Sequence, residues 1–175
     1  MKLDILAFGA HPDDVELSCG ATIAKEISLG KSVGIIDLTR GELGTRGSAE
    51  LRSLEALNAA NILGVSVREN LNFADGFFIN DKKHQLEVIK MIRKYQPDIV
   101  LCNAVNDRHI DHPKGSSLVS DACFLSGLMK IETDIAGIQQ EKWRPKQVYH
   151  YIQWKNSNPD FVVDVSGFLD VKANA

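Results

Sequence analysis

The chain has 175 residues, 20 Lys and Arg against 23 Asp and Glu, a formal net charge of -3 and 44% hydrophobic residues. That length fits one domain with its own core, and the near balance of charge argues against the broad cationic face of a nucleic-acid binder. Cys19, Cys102 and Cys123 are too scattered for a disulfide framework, no apolar run approaches the ~18 residues of a membrane span, and no cleavage pattern follows the N-terminal apolar stretch. The expectation is a cytoplasmic, soluble protein without nucleic-acid or membrane partners.

Residues 3–10 read as a short buried strand, after which Val15, Cys19, Ile23 and Ile27 recur every four residues as a helical stripe that Gly30 ends. The unit repeats. Residues 32–39 (SVGIIDLT) predict a second strand, and a helix near 49–63 carries Leu51, Leu54 and Leu57 on one face before Gly64. A third strand around 69–73 precedes a helix near 83–95 bearing Leu86, Val88, Ile89 and Ile92, which Pro97 breaks off. Residues 98–104 predict a fourth buried strand, and Leu118, Ala122 and Leu125 form the inward stripe of a helix near 113–127. Further strands are expected near 147–154 and 161–165, with 130–146 a polar, weakly patterned connection. This alternation predicts an α/β fold: three α/β/α layers, Rossmann-like, around a mostly parallel sheet.

Ligands of such sheets bind beyond the carboxyl ends of the strands. His11-Pro12-Asp13-Asp14 follows the first predicted strand and Asn106-Asp107-Arg108-His109-Ile110-Asp111-His112 the fourth, so both fall on that edge. A catalytic zinc takes three His or carboxylate ligands and keeps one position open. His11 and Asp14, three apart across a strand-to-helix turn, can converge with His112 on one ion. Asp13 is then free to take a proton from water, His109 to donate to a leaving group or steady an oxyanion, and Asp111 to orient an imidazole. An aspartate at a helix start is also an ordinary N-cap, which is the plain alternative for Asp13 or Asp14 taken singly.

The segments AHPDDVE at 10–16 and HIDH at 109–112 resemble the paired signatures of the PIG-L/LmbE-like zinc de-N-acetylases. GATIAK at 20–25, DLTRGELGTRG at 37–47, Arg52 with Glu55, and PDFVVDVS at 159–166 agree in order and spacing. The resemblance implies one zinc per chain held by His11, Asp14 and His112, Asp13 as general base and His109 as acid or oxyanion stabiliser. It also implies substrate contacts from Arg52 and Arg144, and a small-molecule N-acetylglucosamine conjugate as substrate. Within the family the chain looks most like the bacillithiol-biosynthesis branch, which hydrolyses N-acetylglucosaminyl-malate. Ile110 stands where Pro is common, and family members run several tens of residues further, so 1–175 is expected to be one deacetylase domain lacking the family's C-terminal portion. Homo-oligomers are common in the family.

Other features carry less. Gly41, Gly44 and Gly47 lack a dinucleotide or Walker fingerprint and read as a flexible substrate-covering loop or plain turn glycines. The three cysteines read as core, as do Phe77, Phe78 and Ile79 unless they form an association patch. Trp143, Tyr149, Tyr151 and Trp154 are expected around the late strand, one of them free to stack on a sugar. The competing functions are a metal-dependent phosphoester hydrolase, which needs two metals and more carboxylates, and a non-catalytic sugar- or nucleotide-binding module.

Overall fold

A computed structural model describes residues 1–175. The strands are β1 (Ile5–Gly9), β2 (Val33–Thr39), β3 (Val67–Phe73), β4 (Ile99–Cys102), β5 (Asp134–Ile135), β6 (Ile138–Gln139) and β7 (Gln147–His150). The helices are α1 (Asp14–Ser28), α2 (Ala49–Leu63), α3 (Lys82–Tyr95), α4 (Asp111–Leu125) and α5 (Leu169–Asn174). Five strands form one parallel sheet in the order β3-β2-β1-β4-β7, with Ile5 opposite both Val33 and Ile99. This is the expected Rossmann-like architecture.

The continuous apolar run of β1 follows from burial on both faces. Leu6 and Phe8 enter a core with Val88, Ile89 and Ile92 of α3 and Leu118 and Ala122 of α4. Ile5 and Ala7 point the other way, toward Val15, Cys19 and Ile23 of α1 and Leu63 of α2. All three cysteines are free and buried. Gly64 closes α2 in the left-handed conformation (φ 77°), as its sequence position predicts. No helix is long and apolar enough to cross a membrane.

Five expectations change. Leu51, Leu54 and Leu57 face outward, Leu54 being 60% exposed, because α2 seats Ala56, Ala59, Ala60 and Leu63 against the sheet. Residues 161–165 form no strand: their β propensity finds no neighbouring ladder, and Phe161 instead packs edge-on against Tyr149 at 5.0 Å. The strand expected over 147–154 ends at His150, where the chain turns toward the pocket described below. The 130–146 connection contains the β5–β6 hairpin, turned at Ala136 (φ 52°) and Gly137 (φ 78°), and of the residues read as core Phe78 is buried while Phe77 and Ile79 are exposed.

Candidate metal and active site

Strand order reverses between β1 and β4, with β2 and β3 on one side and β7 on the other. Crevices open at such switch points, and here a pocket of about 750 Å³ occupies it. Buried His11, Asp14, Asp75 and His112 line its floor with half-buried His109, and exposed Leu17, Leu43, Ile110 and Trp154 form its lip.

The turn after β1 is strained. Asp13 has φ 142° and ψ -24°, a region that side-chain-bearing residues rarely adopt, and neither it nor Asp14 caps α1. Arg52 of α2 secures the turn, donating to the Pro12 carbonyl at 2.7 Å and lying 3.2 Å from the Asp13 carboxylate. Gly41 lets that guanidinium through, since a Cβ there would meet Arg52 Nε at 2.6 Å. The glycine loop is therefore packed onto the site. Leu43 N and the Glu42 carboxylate both bond Asp75.

Asp14 is the hub. Its Oδ2 accepts from the His11 backbone N–H at 3.0 Å and Asn103 Nδ2 at 2.9 Å, and its Oδ1 accepts from Gln153 Nε2 at 2.9 Å and lies 3.1 Å from His112 Nε2. His11 turns Nε2 toward Asp75 (3.0 Å) and Asp111 (3.4 Å), which leaves Nδ1 facing Asp14 at 3.6 Å. Ring centroids of His11, His109 and His112 lie 4.6, 5.1 and 5.7 Å apart, and a nitrogen of each falls within 4.8 Å of the others.

Charge organises these groups. Burial opposes protonation of His11, but Asp14, Asp75 and Asp111 outweigh it and raise its pKa to about 9. His112 is raised in the same way by Asp14, whose own carboxyl is held well below the usual range by the two imidazoles in spite of burial. Burial and the charge of Asp14 push Asp13 up against the pull of Arg52. Burial, then His11 and His112, push His109 down.

The donor set suits a zinc-type ion: the imidazoles of His11, His109 and His112 converge, and the Asp14 carboxylate lies 3.1 Å from His112 Nε2 and 3.6 Å from His11 Nδ1. A second cluster, His11 with Asp75 and Asp111, is also close enough to hold an ion. Its carboxylates are already committed, however: Asp75 accepts from Leu43 N, and Asp111 from Gly76 N at 2.7 Å and Lys114 Nζ at 3.0 Å. They orient His11.

The structure thus gathers His11, Asp13, Asp14, Arg52, His109, Asp111 and His112 at one site and leaves Arg144 out. Arg144 lies beside the last turn of α4, donating to the Phe124 carbonyl at 2.8 Å with its guanidinium 4.3 Å from the Phe124 ring. That is about 20 Å along the helix from the site end, at 1.5 Å per residue. Asp75, Asn103 and Gln153 escaped sequence reading, although each lies just beyond the carboxyl end of a sheet strand.

A Rossmann-like α/β domain with a His/Asp metal-type centre at its switch point is the class that fold and site define. The PIG-L family model, described as GlcNAc-PI de-N-acetylase, matches residues 6–123, and the chain belongs to this family. It is 40% identical over 114 residues to the uncharacterised deacetylase YaiS of Escherichia coli K12, covering 62% of this chain and 61% of that protein. It is 30% identical over 183 residues to the diacetylchitobiose deacetylase of Thermococcus kodakarensis, covering 98% of this chain and 67% of that enzyme. The crystal structure of the conserved protein TT1542 from Thermus thermophilus superposes with a TM-score of 0.90 at 38% identity, covering 98% of this chain and 76% of the other.

Proposed function

We propose that this chain is a metal-dependent hydrolase that removes the acetyl group from an N-acetylglucosamine-containing small molecule, releasing acetate and the free amine. The convergence of His11, His109 and His112 with the Asp14 carboxylate, beside an Asp13 that lines the same pocket, carries this reading. His11, Asp14 and His112 would hold one zinc. When bound, such an ion supplies Lewis acidity toward water and the acetamide oxygen.

The remaining steps belong to the protein. Asp13 accepts the proton of the attacking water and passes it to the departing amine, and its raised pKa suits it to both transfers. Arg52 keeps the carboxylate in place. His109 Nδ1 faces the Asp111 backbone N–H at 3.3 Å, so the ring proton sits on Nε2. With its pKa lowered, His109 stays neutral and donates that N–H to the oxyanion of the tetrahedral intermediate. The double-metal phosphoesterase reading is disfavoured by the prior commitment of Asp75 and Asp111.

The finer reading that the sequence suggests is a conjugate with an anionic aglycone, N-acetylglucosaminyl-malate, whereas the named relatives are YaiS and diacetylchitobiose deacetylases and not members of the bacillithiol branch. It is supported by Arg108 at the pocket lip, whose guanidinium lies 5.2 Å from the Trp154 ring. The test is free-amine release with added zinc from N-acetylglucosaminyl-malate, N,N'-diacetylchitobiose and a neutral N-acetylglucosaminide. Release slowed roughly 100- to 10,000-fold by Asp13→Asn is expected. Stoichiometric zinc with no amine from any of the three would overturn the reading, and preference for a neutral substrate would remove the malate assignment alone.

A further inference from the structure

Asn103 and Gln153 are amides without a place in the chemistry above, yet both converge on Asp14. Asn103 follows β4 and is fully buried; its Nδ2 donates to Asp14 Oδ2 and to Gln153 Oε1, each at 2.9 Å. Gln153 returns the contact, its Nε2 donating to Asp14 Oδ1 at 2.9 Å. We propose that these amides are positioning residues, a relay that fixes both oxygens of Asp14 so that the carboxylate meets a divalent ion through one lone pair of Oδ1. The proposal rests on Asp14 being a metal ligand.

Lone-pair accounting gives the reason. A carboxylate offers about four acceptor sites. The His11 N–H and Asn103 occupy both on Oδ2, and Gln153 takes one on Oδ1. What remains faces His112 Nε2 at 3.1 Å. Neutral amides do this without a cation that would compete with the metal.

The relay is itself held. Tyr151 donates its hydroxyl to the Phe8 carbonyl at 2.8 Å and Trp154 N–H bonds Asp107 at 3.0 Å, which fixes the chain on either side of Gln153. Gly115 of α4 lets the helix close over Asn103, since a Cβ there would come within 3.3 Å of Oδ1. That oxygen is buried without a partner, a cost a purely structural asparagine would not need to carry.

The test is zinc affinity by chelator competition, with thermal unfolding of the metal-free protein as control, for wild type, Gln153→Met and Asn103→Leu. Gln153→Met keeps the side-chain shape and removes the donor. It should weaken zinc binding about 10- to 100-fold while the metal-free unfolding midpoint stays within a degree or so of wild type. Asn103→Leu should weaken zinc similarly, and the double variant should lose less than the product of the two, since the amides act as one unit. Undiminished zinc affinity in Gln153→Met overturns the relay and leaves the metal site standing. A wild type that binds no zinc overturns the site itself.

Discussion

Asp13 sits at φ 142°, ψ -24°, and stays there because Arg52 bonds both its carboxylate and the preceding carbonyl. Strain of this kind costs roughly 1–3 kcal/mol and gathers at functional sites. Asp13→Gly should therefore raise stability by about 1 kcal/mol, the relief being partly offset by glycine's extra chain entropy. Asp13→Asn should lower kcat by roughly two to four orders of magnitude with metal retained, the usual contribution of a positioned base. Denaturant titration and steady-state kinetics check the two. His11→Ala with His112→Ala should instead empty the site, and stoichiometric metal in that double variant would show that these imidazoles are not ligands. Equal metal loss from Asp13→Asn and Asp14→Asn would show that the roles of the adjacent carboxylates are divided wrongly.

At the scale of elements, α2 separates pattern from burial. Leu51, Leu54 and Leu57 make an apolar face that points to solvent, while Ala56, Ala59 and Ala60 meet the sheet. Leu54→Gln should change stability by less than about 0.5 kcal/mol, whereas Ala60→Leu should cost roughly 1–3 kcal/mol by overpacking. Chemical denaturation of both variants decides it. The same contrast explains what the sequence discloses. Strands β1 and β4 stand out as short apolar runs, and the turns after them then place His11, Asp14 and His112 on one edge. Asp75, Asn103 and Gln153 carry no such mark, because a lone polar residue past a strand end looks like any loop residue until the sheet order is known. The 161–165 segment has strand composition without a partner, and composition does not encode the neighbour.

Across the whole molecule, one buried cation ties the site to both of its supporting layers. Arg68 of β3 donates Nε and Nη2 to Asp37 of β2 at 2.8 and 3.0 Å, and Nη1 to Glu16 of α1 and to the Ala56 carbonyl of α2 at 3.0 Å. Glu16 closes the AHPDDVE segment, so this ion network sets where α1 begins and with it the turn that presents Asp13 and Asp14. Removing one partner from a buried network leaves charge uncompensated, at a cost of roughly 3–5 kcal/mol. For a chain of this length that is a fall in Tm of roughly 6–20 °C. Arg68→Met should show it, and the loss should depend on pH. Burial pushes the Asp37 carboxyl up to about 6 even against Arg68. Without the guanidinium it rises further, while in the unfolded chain it stays near its ordinary value of about 3.9. A carboxyl that binds its proton more tightly when folded favours the folded state at low pH and loses that advantage as pH rises through the folded pKa. Arg68→Met should therefore be less destabilised relative to wild type at pH 5 than at pH 8, measured by urea unfolding at both. Equal losses at the two pH values would mean that Asp37 remains ionised without Arg68, and that solvent or a repacked α1 has replaced the guanidinium.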